Sequence, residues 1–263
     1  MSVLEQTPGL LAALQGEMTP KFLASRNAAG VPNVVPVVSI LPAEDQPDTL
    51  FFGNFLLRKT IQNLNEDQRV GILVITQELQ GWVLKGEFVE FQRTGAYVDR
   101  QMSSSLLRYN AYTGIRNAGV IRVHSVEAAF GISKWQVAKD YLLARLSRAG
   151  GVRDGGVKMP LPVQREFAKM IAVKVLTWVG EDGYPIVIPA LSLQPSGETN
   201  LVCRKSTRFP EPPLGSLVAA NILTFEAISY QVKGRWVGSG KTGIIRVQEV
   251  YAGGPPLPGG RVA

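Results

Sequence analysis

The sequence predicts a mainly β fold, a closed or partly closed β-barrel with peripheral helices, built twice along one chain. Three observations lead there. Short runs of β-branched and apolar residues follow one another at near-regular spacing with turn residues between them, the pattern of a barrel rather than of a doubly wound sheet. A stretch of the first half recurs in the second. Between the copies lies Ala149–Gly156, whose four glycines read as a linker.

In chain order, Met1–Gly16 lacks the basic start, apolar run and small-residue cleavage site of a signal peptide. Strands are expected at Lys21–Arg26, Asn33–Leu41 and Thr49–Gly53. Leu57, Ile61 and Leu64 then share one helical face, which places a short helix over Leu57–Asn65. Strands follow at Val70–Thr76 and Gln80–Gln92, a helix at Gln101–Tyr112, and an alternating strand around Ile121–Val126. Lys134–Ala149 reads as a helix presenting Trp135, Val137, Tyr141, Leu142 and Leu146. Residues 1–148 thus form the first unit, 149–156 the linker and 157–251 the second unit. Ala252–Ala263, rich in Gly and Pro, is expected to be a flexible tail.

The repeat is carried by position as well as type. Gly30, Pro32 and Pro36 recur at one offset as Gly183, Pro185 and Pro189. At a slightly shorter offset, as a loop deletion produces, Trp82-Val-Leu-Lys85-Gly86 matches Tyr230-Gln-Val-Lys233-Gly234, and Val70–Ile75 matches Val218–Leu223.

Composition removes several classes of function. With 263 residues, 45% of them hydrophobic, the chain can fill two small cores. Cys203 is the sole cysteine, so no intramolecular disulfide forms, and the chain is expected to be cytoplasmic. No apolar run reaches the roughly 20 residues that cross a bilayer, since Leu217–Ile228 carries Asn221 and Glu226; no membrane role is expected. The net charge is +7, but the basic residues come in ones and twos, which speaks for a solvated surface and against nucleic acid.

The sharpest local signal is Phe52-Gly53 followed by Arg58-Lys59-Thr60, where a strand runs through a turn into a helix. Free N–H groups at a helix N-terminus favour an anion, and the guanidinium of Arg58 can grip phosphate oxygens in pairs. Lys59 and Thr60 add donors. The same residues fit an exposed basic first turn, and local physics leaves both readings open.

This segment resembles the flavin-phosphate segment of the pyridoxamine 5′-phosphate oxidase-like superfamily. The order Phe22-Leu-Ala-Ser-Arg, Gly30-Val-Pro32, Pro36, Arg58–Leu64, Arg69-Val-Gly-Ile-Leu and Leu84-Lys85-Gly86 is similar as well, over about Thr19–Phe130, with a weaker copy over Ala168–Tyr251. The resemblance implies two tandem split β-barrel units packed as an intrachain pseudo-dimer, with further homo-oligomerisation left open. It also implies FMN between the barrels, its phosphate on Arg58, Lys59 and Thr60. Val35, Pro36, Val37, Phe52 and Gly53 would then lie along the ring system and ribityl chain, and Lys85 would touch the cofactor. The chain departs from the vitamin B6 oxidases themselves, with Val35 and Ile40 where those carry a basic pair on the second strand. Pyridoxamine phosphate is therefore not the expected substrate.

The second copy has Arg204-Lys205 near the matching place, but Pro210, Pro212 and Pro213 break the helix that should follow, so its site is expected to be degenerate. Gly234–Thr242 imitates a P-loop but has Arg235 where glycine is required. His124 on an alternating strand, and Trp82 and Trp236 at near-equivalent repeat positions, read as packing residues. No zinc set or catalytic triad can be assembled, so any redox chemistry belongs to the cofactor. The resulting expectation is an FMN-binding oxidoreductase with a small-molecule redox substrate or electron donor. The alternatives are a flavin-binding or electron-transfer protein without turnover, and a deazaflavin-binding relative.

Overall fold

The computed structural model describes residues 2–55, 57–104, 115–147, 156–238, 240–253 and 259–263. The chain opens with two short helices absent from the sequence reading, α1 (Val3–Gln6) and α2 (Leu10–Gln15), which bury Leu4, Leu10 and Leu14. The first sheet comprises β1 (Lys21–Arg26), β2 (Pro32–Pro36), β3 (Leu41–Pro42), β4 (Thr49–Gly53), β5 (Arg69–Ile75), β6 (Gln80–Gln92) and β7 (Ala118–Gly131). Helix α3 (Arg58–Glu66) crosses between β4 and β5, and α4 (Ala96–Met102) precedes β7. After α5 (Lys134–Leu146) and α6 (Leu161–Phe167) comes the second sheet. Its strands are β8 (Val173–Val179), β9 (Pro185–Pro189), β10 (Gln194–Pro195), β11 (Asn200–Arg204), β12 (Leu217–Leu223), β13 (Ser229–Trp236) and β14 (Thr242–Ala252).

Both sheets are antiparallel, seven-stranded and identically ordered. The first runs β2-β1-β5-β6-β7-β4-β3, and substituting each strand's counterpart gives the second, β9-β8-β12-β13-β14-β11-β10. Register repeats with order. Leu23 faces Val35 as Leu176 faces Ile188, and Val70 faces Gly86 as Val218 faces Gly234. The hairpins also turn alike: Gly30 and Gly183 take φ of +76° and +80°, a left-handed conformation that glycine adopts without strain.

Each unit fills its own interior. Trp82 is buried in the first core with Leu23, Ile72 and Phe52, and Trp236 in the second with Trp178, Ile222 and Val232, the packing role expected of both. A third cluster joins the units face to face. Phe22, Val34, Leu73 and Ile75 meet Val175, Val187 and Ala219, each large buried side chain contributing about 1.5–3 kcal/mol. Gly71 sets the approach, because a β-carbon there would lie 2.2 Å from the Pro185 carbonyl oxygen. Polar contacts rim the interface: Lys85 pairs with Asp182 at 2.7 Å, Tyr184 donates to Glu87 at 2.8 Å, and Arg26 donates to the Gly183 carbonyl at 3.2 Å. The two units thus form an intrachain pseudo-dimer.

Several boundaries differ from the sequence reading. The strand expected over Asn33–Leu41 ends at Pro36: the Val37 N–H bonds the Lys21 carbonyl, and the Ile40 N–H closes a turn on Val37. Of the helix expected at Gln101–Tyr112, Gln101 and Met102 form the end of α4, and residues 105–112 lie outside the described residues. The expected linker lies outside them too, except Gly156. Helix α5, assigned to the first unit by sequence, packs on β10 and β11 of the second, where the Gln194 amide donates to the Tyr141 carbonyl at 2.8 Å. The described end of the expected flexible tail is tied down. Gly259–Ala263 return along β14, with Ala252 and Val250 donating to the carbonyls of Gly260 and Ala263, because β14 offers unpaired backbone groups there.

Candidate functional site

A cleft of about 730 Å³ opens where the first unit's β2, β4 and α3 face the second unit's β12, β13 and β14. Its first wall is the edge strand β2 and the turn after it, Val35 to Ser39. The turn is buttressed from behind, because Ser39 Oγ accepts the Gly53 N–H at 3.2 Å and Gln101 donates to the Ser39 carbonyl at 2.7 Å. Gly53 must stay small, since a β-carbon would lie 2.9 Å from the Phe55 ring.

One end of the cleft is built for an anion. Leu57 precedes α3 and provides no side-chain cap, so the first-turn N–H groups of Arg58, Lys59 and Thr60 have no intrahelical partner. The dipole of the helix adds partial positive charge at that end. Arg58 is exposed and, among the described residues, makes no hydrogen bond or ion pair. Thr60 is buried, its hydroxyl accepting from Asn33 at 3.2 Å. The Lys59 ammonium sits 3.7 Å from the centre of the Tyr251 ring, and burial lowers its pKa. Lys233 on β13, 5.7 Å from the same ring, is pushed down to about 8, first by burial and then by Lys59. Tyr251 donates to Glu249 at 2.7 Å, and burial raises its hydroxyl to about 12.

The other wall comes from the second unit: Asn221, the β12–β13 turn with exposed Phe225, and Gln231. That turn has the same build in both units, with positive φ at Leu79 and Ala227. Glu226 on the rim is paired to Lys169 at 3.6 Å. Among the described lining residues the ionisable side chains are Arg58, Lys59, Glu226 and Tyr251.

Of the residues singled out by sequence, Val35, Pro36, Val37, Gly53, Arg58, Lys59 and Thr60 line this cleft. Phe52 and Lys85 do not. Phe52 is in the core, its ring so close over Gly119 that a β-carbon there would lie 2.3 Å away. Lys85 is engaged by Asp182 and by Glu127 at 3.3 Å on the far side of the pseudo-dimer. Its repeat counterpart Lys233 is the one near α3, because a cleft between units takes each wall from a different copy. Sequence reading missed Asn221, Gln231 and Tyr251. A signal existed, since the two amides stand where the first copy has the apolar Leu73 and Val83.

The matching place on the other side holds only a cavity of about 40 Å³. Phe209 fills it, packed edge-on against Phe130 at 5.0 Å. Lys205 is paired with Glu211, Arg208 donates to the Gly131 carbonyl at 2.7 Å, and no helix forms between β11 and β12. The P-loop imitation is the β13–β14 hairpin, and His124 is a half-exposed partner of Glu87 at 3.4 Å. Among the described residues no cluster suits a metal ion, and no helix is long and apolar enough to cross a membrane.

No protein-family model matches the sequence, and no curated protein does. Several solved structures are similar to about half of it. An FMN-binding protein from Syntrophomonas wolfei is 17% identical over 50% of this chain and 88% of its own, with a TM-score of 0.40. HupZ from Group A Streptococcus is 20% identical over 48% of this chain and 98% of its own, TM-score 0.38. An F420 reductase is 18% identical over 46% of this chain and 98% of its own, TM-score 0.36. Each covers about half of the chain. Their identities and TM-scores carry no function across, which leaves that to the cleft.

Proposed function

We propose that the cleft binds a flavin-type cofactor, FMN in the first instance, and that the protein is an oxidoreductase acting on a small molecule. The observation that carries this reading is an uncapped, basic helix start opening onto one large, mostly apolar cleft. A ligand with a phosphate at one end and a planar apolar body fits both ends of it. The unpartnered guanidinium of Arg58 and the free first-turn N–H groups of α3 would hold the phosphate; the β2 edge would lie along the ring system. A bound flavin supplies hydride or electron transfer. The protein's part is to position it, to keep water from its buried face and to leave the rim near Phe225 and Phe55 open to a reaction partner.

The test begins with the absorption spectrum of the freshly purified chain, which should show flavin bands, or gain them on adding FMN. Bleaching by NADH or NADPH followed by acceptor-dependent reoxidation marks an enzyme. Bound flavin that neither nicotinamide reduces marks a carrier without turnover, and selective retention of a deazaflavin over FMN marks the deazaflavin alternative.

A further inference from the structure

Deep in the cleft two amide side chains stand side by side. Asn221 on β12 and Gln231 on β13 are direct register partners, both line the cleft, and they are only 1% and 4% exposed. Each is half committed. Ser229 Oγ donates to Asn221 Oδ1 at 3.2 Å, which makes Nδ2 the free end. Gln231 donates through Nε2 to the Val34 carbonyl of the first unit, which makes Oε1 the free end. Among the described residues neither free end has a hydrogen-bond partner. Both residues line the cleft, and polar groups at such a place are ordinarily satisfied by water or ligand.

The repeat sharpens the point. The strand register places Asn221 where the first unit has Leu73, and Gln231 where it has Val83. Leu73 and Val83 are buried in the apolar interface cluster, on the side where Phe209 fills the cavity. Amides therefore stand in place of apolar residues only on the side of the pseudo-dimer that keeps an open cleft. Neighbouring strands then offer one fixed donor beside one fixed acceptor.

We infer that Asn221 and Gln231 together read a lactam or imide edge of the ligand. A ligand carbonyl accepts from Asn221 Nδ2, and the adjacent ring N–H donates to Gln231 Oε1. This rests on the flavin reading of the cleft, since the pyrimidine ring of a flavin or deazaflavin carries such a –C(=O)–NH– edge. It assigns to the second unit the choice of ring, and leaves the phosphate to the first.

The test titrates the full-length chain with FMN and with FMN methylated at the ring N3, which blocks the donor and keeps the phosphate. Wild type should bind FMN about tenfold to a hundredfold more tightly than the methylated form. Gln231→Val, which installs the first unit's own residue, should bring that ratio close to one. Asn221→Leu should weaken both ligands by about tenfold, because both keep the carbonyl. Equal affinity of wild type for the two ligands overturns this inference while leaving the cofactor reading standing, and it decides the matter even if a variant fails to fold. A preference that survives Gln231→Val also overturns it. Failure of wild type to bind FMN or its 5-deaza analogue at all removes the cofactor reading and this inference together.

Discussion

At the residue scale the anion-binding end of the cleft turns on one charge without a partner. Arg58 has none among the described residues, so Arg58→Ala should cost FMN about tenfold to somewhat over a hundredfold in affinity and leave riboflavin almost unchanged. Arg208→Ala, in the filled half, is the control that should leave FMN binding alone. Equal losses for both ligands in fluorescence titrations of Arg58→Ala would make the basic pair an ordinary solvated helix start. Buried lysines raise a separate matter of stability. Lys21 and Lys174 hold equivalent positions, each offering its carbonyl to the turn after the neighbouring strand. Lys21 donates to the Gly16 and Val38 carbonyls at 2.8 and 3.0 Å, but Lys174 Nζ has no hydrogen-bond partner among the described residues, and burial pushes its pKa down to about 7. With the folded pKa below the unfolded one, the unfolded chain binds more protons between about pH 7 and 10, so stability rises with pH across that window. Lys174→Met should therefore stabilise the protein at pH 7, on the order of 2–4 kcal/mol, and by less at pH 9.5. Urea unfolding at both pH values reads this; a gain equal at the two would sink it.

At the element scale, α3 and its counterpart decide how many sites exist. Both follow an equivalent strand, β4 or β11, yet one segment is helical and the other carries Pro210, Pro212 and Pro213. Proline removes backbone donors and clashes with the preceding turn, so the second segment cannot present a row of N–H groups to an anion. Phe209 then occupies the space that a ligand would need. One flavin per chain is the expected stoichiometry, and isothermal titration showing two equivalent tight sites would refute it. Here the sequence was legible in advance, because proline's effect is local. It was not legible for β2, whose length depends on the Val37 N–H finding the Lys21 carbonyl across the sheet.

At the scale of the whole molecule, the cleft exists only while the units are in contact. Gly71 of the first unit lies against the Pro185 carbonyl of the second, and no larger side chain fits between them. Gly71→Val should push the units apart, lower the melting temperature by several degrees and weaken FMN binding together. A variant that melts and binds like wild type would show that the interface does not hold the cleft. Gly119→Val, which meets the Phe52 ring inside the first core, is the companion that disturbs one unit from within.

The sequence by itself determined the mainly β class, the duplication and the basic helix start at Arg58. Each is written in local periodicity, turn chemistry or repeated spacing, which survive without tertiary context. Only the tertiary structure decided which copy supplies each wall. Lys85 and Lys233 hold matching places in the repeat, yet packing puts the first in a salt bridge with Asp182 and the second beside α3. Likewise Phe52 and Gly53 are neighbours in sequence, but the alternation of a strand sends one into the core and the other to the cleft. A site between two units is a property of their packing, and no single segment of the chain encodes it.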